Sequence, residues 1–189
     1  VRTHLDDARL KHLEEENLRL RAMLDLKKES FLHLIPADVV GQTSDAKVVG
    51  LIVARGFLHG VRPSAAVLNE KGLVGRVWRV SEASAIVQTI ADPQLGIPSQ
   101  LSTNGAQGIT RWKGLGRMRL EGIPSTVKVS FGDSVVTSSA GGIFPPQILI
   151  GKVVEVKPAE ERWLWDIEVS PSVNVPFIGE VFIVGPATE

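Results

Sequence analysis

Short apolar segments separated by glycine and proline run through the chain from residue 36 to its end. The 189 residues include 18 glycines and 11 prolines, and the apolar segments between them, such as Val48–Val53, are only a few residues long. Asn104-Gly105 is a strong hairpin signal, because both residue types tolerate positive φ. Short strands at even spacing with such turns are typical of small barrels or of a sandwich. We therefore predict a mainly β fold rather than alternating strands and helices.

One pattern occurs twice within this β region. Gly72–Val77 and Leu149–Val153 each contain an apolar stretch in which a glycine is followed by a basic residue and a valine. A glycine inside such a strand marks a bulge or a bend where a barrel turns a corner. We therefore predict two small six-stranded barrels, at residues 36–100 and 101–189. The sequence leaves open whether the last strand, near residues 181–184, returns to the first barrel.

Residues 1–35 follow a helical period instead. Their apolar positions alternate in steps of three and four, the spacing that keeps one stripe facing a partner helix. Asn17 interrupts this stripe, and a buried Asn at such a position selects a parallel, in-register pair. We predict a coiled-coil helix that forms a parallel dimer. The alternative is a single amphipathic helix that lies against the β body. The predicted dimer contact is formed by Leu10, Leu13, Asn17, Leu20 and Leu24.

Charge and cysteine content argue against several function classes. The chain carries 21 basic and 21 acidic residues, so it lacks the charge excess that attraction to nucleic acid or to acidic lipid needs. Without cysteine it has no disulfide, zinc–thiolate site or thiol nucleophile. The helical pattern begins at residue 1 without a cap. We therefore expect the natural chain to continue upstream, where a membrane anchor would precede Val1.

An enzyme of the serine protease type is the catalytic alternative, because paired β-barrels also house such proteases. His59, Asp92 and Ser134 occur in a suitable order, but Val135 and Val136 follow the serine where a nucleophile loop needs small residues for its oxyanion hole. No phosphate-binding loop and no set of metal ligands at a suitable spacing is present in the sequence. We predict a protein without catalytic activity and without a cofactor.

Two features are candidates for a partner surface. Four cations flank the Gly114–Gly116 turn, where strand alternation places them in pairs on matching faces; the alternative is a solvated barrel exterior that discourages edge pairing. Phe144 follows a double glycine, either as an apolar tip that docks on a neighbour or as a plug that closes its own barrel. The four cations are Arg111, Lys113, Arg117 and Arg119.

Several sequence blocks carry a family resemblance. The helix contains Glu-Asn-Leu-Arg at residues 16–19, and Gly-Leu-Val-Gly-Arg-Val follows at residues 72–77. Gly-Asp-Ser-Val-Val-Thr-Ser then occupies residues 132–138, with Gly-Gly-Ile-Phe-Pro at 141–145 and Ile-Gly-Lys-Val at 150–153. In this order the blocks resemble the rod shape-determining proteins of the MreC family, and the resemblance covers nearly the whole chain.

This resemblance implies a protein of the bacterial inner membrane whose body lies in the periplasm, or outside the cytoplasmic membrane. Such proteins carry a coiled coil and two β-barrels and act without chemistry, as scaffolds that organise the cell-wall elongation machinery and maintain rod shape. The implied partners are a class B penicillin-binding protein, MreD, MreB and further copies of the chain, as dimers that extend into filaments. The alternative is a periplasmic adaptor of an efflux or secretion system, which would need a longer helical hairpin.

Overall fold

The computed structural model describes residues 13, 15–17, 20, 32–45 and 48–186. Most of this part of the chain is folded into strands. In chain order the strands are Leu34–Asp45 (β1), Val48–Val53 (β2), Ala66–Asn69 (β3), Gly72–Val80 (β4), Ala85–Thr89 (β5), Ile97–Leu101 (β6), Gln107–Gly114 (β7), Arg117–Glu121 (β8), Ser134–Thr137 (β9), Leu149–Pro158 (β10), Trp165–Pro171 (β11) and Glu180–Val184 (β12). Short 3₁₀ turns occupy Phe57–His59 and Val175–Phe177.

The strands close into two barrels of six strands each. Around the first barrel the order is β1-β12-β3-β4-β5-β2, and around the second it is β10-β11-β8-β7-β6-β9. Every pair of neighbouring strands is antiparallel. Closure pairs every strand edge, which removes the free edges of an open sheet. The predicted mainly β fold with two six-stranded barrels is confirmed.

The division between the barrels differs from the predicted one at residue 100. β6 belongs to the second barrel, where Ile97 pairs with Thr110 across the hairpin that the Asn104-Gly105 turn closes. β12 pairs with β1 and β3, so the last strand belongs to the first barrel. The second barrel is therefore inserted between β5 and β12. The alternation pattern could not reveal this, because strand partners so far apart in sequence leave no local signal.

The repeated glycines lie where the strands approach most closely. A Cβ on Gly75 would overlap the carbonyl oxygen of Gln88, and a Cβ on Gly151 would overlap that of Ser170. The register shifts beside both glycines, between Val67 and Leu68 opposite Gly75 and between Leu149 and Gly151. Glycine at a bulge permits this approach, as the sequence pattern indicated.

The two barrels share one hydrophobic core and meet at Gly72. One cluster of buried side chains contains members of both barrels, among them Leu73 and Ile150. Gly72 has a φ of +144°, and a Cβ there would overlap the carbonyl oxygen of Leu149 and lie 2.6 Å from Ser172 Oγ. Only a residue without a side chain permits this contact, so Gly72 sets how closely β4 approaches the second barrel.

A buried carboxylate fixes the segment that leaves the first barrel. Asp92 is 2% exposed and accepts hydrogen bonds from Gln88 Nε2 and from the backbone N–H groups of Val49 and Gln94, at 3.1, 3.1 and 2.8 Å. A buried carboxylate with three donors has its desolvation offset by charge-assisted hydrogen bonds. This arrangement ties β2, β5 and the linker to β6 together.

Three of the five predicted dimer positions lie within the described residues. Leu13, Asn17 and Leu20 are helical, and the side chains of both leucines are exposed, by 51% and 42%. Leu10 and Leu24 lie outside the described residues, so the predicted parallel dimer stays a prediction. Among the residues that are described, no helix has the length and apolar character needed to cross a bilayer.

Candidate interaction surfaces

The four predicted surface cations on β7 and β8 each face a carboxylate. Arg111 Nε lies 3.9 Å from Glu121, and Arg119 Nε lies 2.9 Å from Asp166. All four cationic side chains are 41–45% exposed, so solvent screens these ion pairs and leaves each a small contribution to stability. Strand alternation placed these cations on one face as predicted, but their charge is balanced locally. A strongly acidic partner therefore meets a mixed-charge surface here.

Glu168 is at the centre of these pairs. Its carboxylate lies 3.0 Å from Lys113 Nζ and 3.2 Å from Arg117 Nε, so one acidic residue on β11 holds the two cations that flank the β7–β8 turn. The hydrogen bond from Lys113 lowers the pKa of Glu168, and the charges of Lys113 and Arg117 act in the same direction against the effect of desolvation. On the neighbouring strand, the hydrogen bond and charge of Glu155 raise the pKa of Lys157.

Phe144 does not form an exposed tip. It is 3% exposed and belongs to the shared core, so the plug is the arrangement that the structure adopts. The loop is fixed around it, because Thr137 Oγ1 donates to the carbonyl oxygen of Pro145 at 2.6 Å and accepts from the N–H of Ile148 at 2.9 Å. Burial of an aromatic ring stabilises the barrel by several kcal/mol, about 3–5 on truncation to Ala. Phe144 is thus removed from the candidate partner surface.

Large apolar side chains are exposed at other loops, which the sequence analysis did not single out. Leu115 is fully exposed and has a φ of +53°, a conformation that costs a branched side chain free energy without any packing in return. The sequence signal for such a side chain is an apolar residue inside a turn. That signal does not distinguish a side chain exposed to solvent from one buried in the barrel. The most exposed of these side chains, between 54% and 102%, are those of Phe57, Leu58, Leu115, Phe131, Trp163 and Phe177.

The three residues that a serine protease would use as its catalytic triad have local structural roles instead. His59 Nδ1 accepts the N–H of Gly56 at 3.2 Å and thereby closes the 3₁₀ turn. Asp92 uses its carboxylate for the linker described above, and Ser134 begins β9 opposite Lys152. The histidine and the aspartate are therefore oriented toward their own loops, whereas a triad requires the carboxylate to hold the imidazole and the imidazole to hold the serine.

A cleft of about 590 Å³ lies between the two barrels. One wall is formed by β1 and β2, and the other by the end of β11 with residues 172–176. Trp112 lines it from β7, and Gly116 lines it from the turn between β7 and β8. Sequence patterns could not predict this cleft, because its lining residues come from strands and loops that are far apart in the chain.

Residues 39–185 match the family model described as rod shape-determining protein MreC, barrel core. The matched range contains most of both barrels, from within β1 to the residue after β12. The chain belongs to the MreC family. The resemblance that the sequence blocks indicated is thereby confirmed.

Individual MreC proteins give the extent of the similarity. The chain is 27% identical over 163 residues to the cell shape-determining protein MreC of Escherichia coli, which covers 86% of this chain and 44% of that protein. It is 28% identical over 151 residues to MreC of Caulobacter vibrioides, covering 80% of this chain and 43% of that protein. The chain thus spans less than half the length of these relatives.

Solved MreC structures have the same fold. One superposes with a TM-score of 0.82 at 25% identity and covers 91% of this chain and 98% of its own. The major periplasmic domain of the cell shape-determining filament MreC superposes with a TM-score of 0.71 at 21% identity, over 81% and 95% of the two chains. A complex between penicillin-binding protein PBP2 and MreC from Helicobacter pylori gives a TM-score of 0.60 at 13% identity, over 82% and 98%. The last two matches concern the fold alone.

Proposed function

We propose that this chain is a non-catalytic scaffold of the bacterial envelope that organises the cell-wall elongation machinery and so maintains rod shape. The observation that carries the proposal is the match of both barrels to the MreC barrel core. The use of His59 and Asp92 in turns, and the exposed apolar side chains on loops, support binding rather than catalysis. The same match favours the scaffold over the alternative, a periplasmic adaptor of an efflux or secretion system.

Complementation tests the scaffold. In a rod-shaped relative depleted of its own MreC, expression of the natural full-length protein should restore rods, and a version without the barrels should leave spheres. A charge-neutral loop variant, Ser139→Ala, is the matched control and should restore rods. Rods without any barrel would contradict the proposal.

A class B penicillin-binding protein is the first proposed partner. A structural neighbour from Helicobacter pylori is a complex of this kind, and the described residues offer exposed apolar side chains of the type that anchor protein interfaces. Removing a central anchor from an interface typically costs about 2 kcal/mol or more, a loss of about 30-fold in affinity.

Biolayer interferometry with the extracytoplasmic part of that transpeptidase tests this partner. We expect one of Leu115→Ser, Phe131→Ser or Phe177→Ser to weaken binding by at least about 10-fold, the effect of 1.4 kcal/mol. Lys128→Met, which changes an exposed cation instead, should bind like the wild type. Equal binding by all three apolar variants would refute a contact through these loops, and no binding by the wild type would refute the partner.

We further propose that the chain forms a parallel dimer through Leu10, Leu13, Asn17, Leu20 and Leu24, and that dimers extend into filaments. The exposure of Leu13 and Leu20, seven residues apart on helical positions, supports a second helix against this stripe. Sedimentation velocity should show a dimer that becomes a monomer in the double variant Leu13→Ser/Leu20→Ser. Val40→Ser, at an exposed position on β1, is the control and should stay dimeric; an unchanged mass in the double variant would refute the stripe.

An anchor in the inner membrane, with the barrels in the periplasm or outside the cytoplasmic membrane, is proposed for the natural protein. The periplasmic domain of a neighbouring MreC and the greater length of the relatives support it. The same anchor would bring the chain to MreD and, across the membrane, to MreB. Protease treatment of spheroplasts should digest the barrels, and protection equal to that of a cytoplasmic marker would contradict this location. Co-purification of MreD and MreB should require the anchor region.

A further inference from the structure

The cleft between the barrels has the size and position of a small-ligand site. Its volume of about 590 Å³ lies within the range of about 300–1,000 Å³ that small-molecule sites occupy, and interfaces between folded units are where such sites concentrate. None of the contacts proposed above for the scaffold uses it. Its walls are rigid, because β1, β2 and β11 belong to closed barrels that meet at Gly72.

The polar groups at the rim of the cleft are available to a ligand. Among the residues that the structure describes, Lys71 is the one ionisable residue that lines the cleft, and its ammonium group has no ion pair with any of them. Its backbone is held in a tight turn, since its N–H donates to Asn69 Oδ1 at 2.9 Å. Gln42 Nε2 donates to the carbonyl oxygen of Pro176 at 3.2 Å, which orients that amide, and Asn174 adds a second amide.

An aromatic wall completes the cleft. Trp112 is half-buried, packs against the shared core and is one of the residues that line the cleft. Thr43 and Ser170, which carry hydroxyl groups, are also among the lining residues. A pyranose ring presents apolar C–H groups on its face and hydroxyl or acetamido groups on its edge, so it matches an indole face beside amides and hydroxyls. The ammonium group of Lys71 adds a preference for a ligand with a negative charge.

We propose that this cleft binds a saccharide of about two rings that carries a carboxylate. Trp112 contacts a sugar face, Gln42 and Asn174 bond to its polar edge, and Lys71 pairs with the carboxylate. An extended peptide is disfavoured, because both barrels are closed and offer no free strand edge for main-chain pairing. This inference goes beyond the scaffold function and does not depend on it.

Titration of the ¹⁵N-labelled whole chain tests the site. The probe is the disaccharide of N-acetylglucosamine and N-acetylmuramic acid; the comparison ligands are the same disaccharide with its carboxylate reduced to an alcohol and chitobiose, which is neutral. The indole N–H resonance of Trp112, identified by its loss in Trp112→Leu, should shift saturably at millimolar probe. We expect the reduced disaccharide to bind about 10-fold more weakly, as loss of one charge-assisted hydrogen bond implies.

One variant in the cleft and two control variants outside it test the role of the charge. Lys71→Met, at an exposed position, should weaken the acidic disaccharide about 10-fold and leave chitobiose unchanged. Lys128→Met has the same charge change outside the cleft, and Trp163→Leu removes an exposed indole elsewhere, so both should bind like the wild type. No saturable shift, or acidic binding that Lys71→Met leaves unchanged, would overturn the proposal. Binding of a short acidic peptide in place of every saccharide would overturn it as well.

Discussion

Replacing Gly72 by alanine tests whether one close backbone contact holds the two barrels together. At a φ of +144°, an alanine adopts a sparsely populated conformation, which costs about 1–3 kcal/mol. Its Cβ also overlaps the carbonyl oxygen of Leu149, and relieving such overpacking typically costs about 1–3 kcal/mol more. We therefore expect Gly72→Ala to lower the free energy of unfolding by about 2–6 kcal/mol.

Gly114→Ala is the matched control. Gly114 also has a positive φ, of +102°, but nothing lies within 4 Å of an added Cβ, so this variant carries the conformational cost alone. Denaturant unfolding followed by tryptophan fluorescence gives both free energies. If Gly72→Ala costs no more than Gly114→Ala, the contact between the barrels does not depend on Gly72. The double variant Gly72→Ala/Ser172→Ala should not recover stability, because the carbonyl group of Leu149 remains; full recovery would assign the clash to the hydroxyl group.

Three further variants test separate features of the fold. Asp92→Ala leaves buried donors without an acceptor and should lower the free energy of unfolding, measured by chemical denaturation, by about 2–5 kcal/mol. A loss under about 1 kcal/mol would contradict the role of Asp92 in fixing the linker. Phe144→Ala should cost about 3–5 kcal/mol by the same measurement, and an unchanged stability would contradict the plug. Glu168→Gln should be less stable than the wild type at neutral pH. Because the folded pKa of Glu168 is lowered, this difference in stability is fully present above its unfolded pKa and is lost as pH falls through the folded pKa. A constant difference across that range would contradict the ion pairs.

Local patterns predicted the type of fold but not its connections. Gly75 and Gly151 mark equivalent bulges, and the turn at Asn104-Gly105 joins β6 to β7, because these features depend on neighbouring residues. The pairing of Leu34 with Val184 joins strands that are far apart in sequence, so no local period predicts it. The predicted boundary at residue 100 instead cuts through β6, which pairs with β7 across the local turn at Asn104-Gly105, so the second barrel begins at Ile97.

The candidate surfaces likewise include features that local sequence predicts and features that depend on residues far apart in the chain. Strand alternation correctly placed the cations of β7 and β8. It could not identify Glu168 as the partner of Lys113 and Arg117, because Glu168 lies on β11, 55 residues after Lys113. The burial of Phe144 depends on the space left inside its barrel. The cleft depends on how two barrels meet, which a single sequence does not encode in any short pattern.

The return of β12 to the first barrel also determines the order in which the molecule can fold. Residues 97–171 contain all six strands of the second barrel, so this unit can close once they have emerged during synthesis. The first barrel begins earlier in the chain but must wait for residues 180–184, and the apolar strands β1 to β5 stay unclosed until then. The earliest strands are therefore the longest exposed to misfolding, and a chaperone acting on the nascent chain would protect them most.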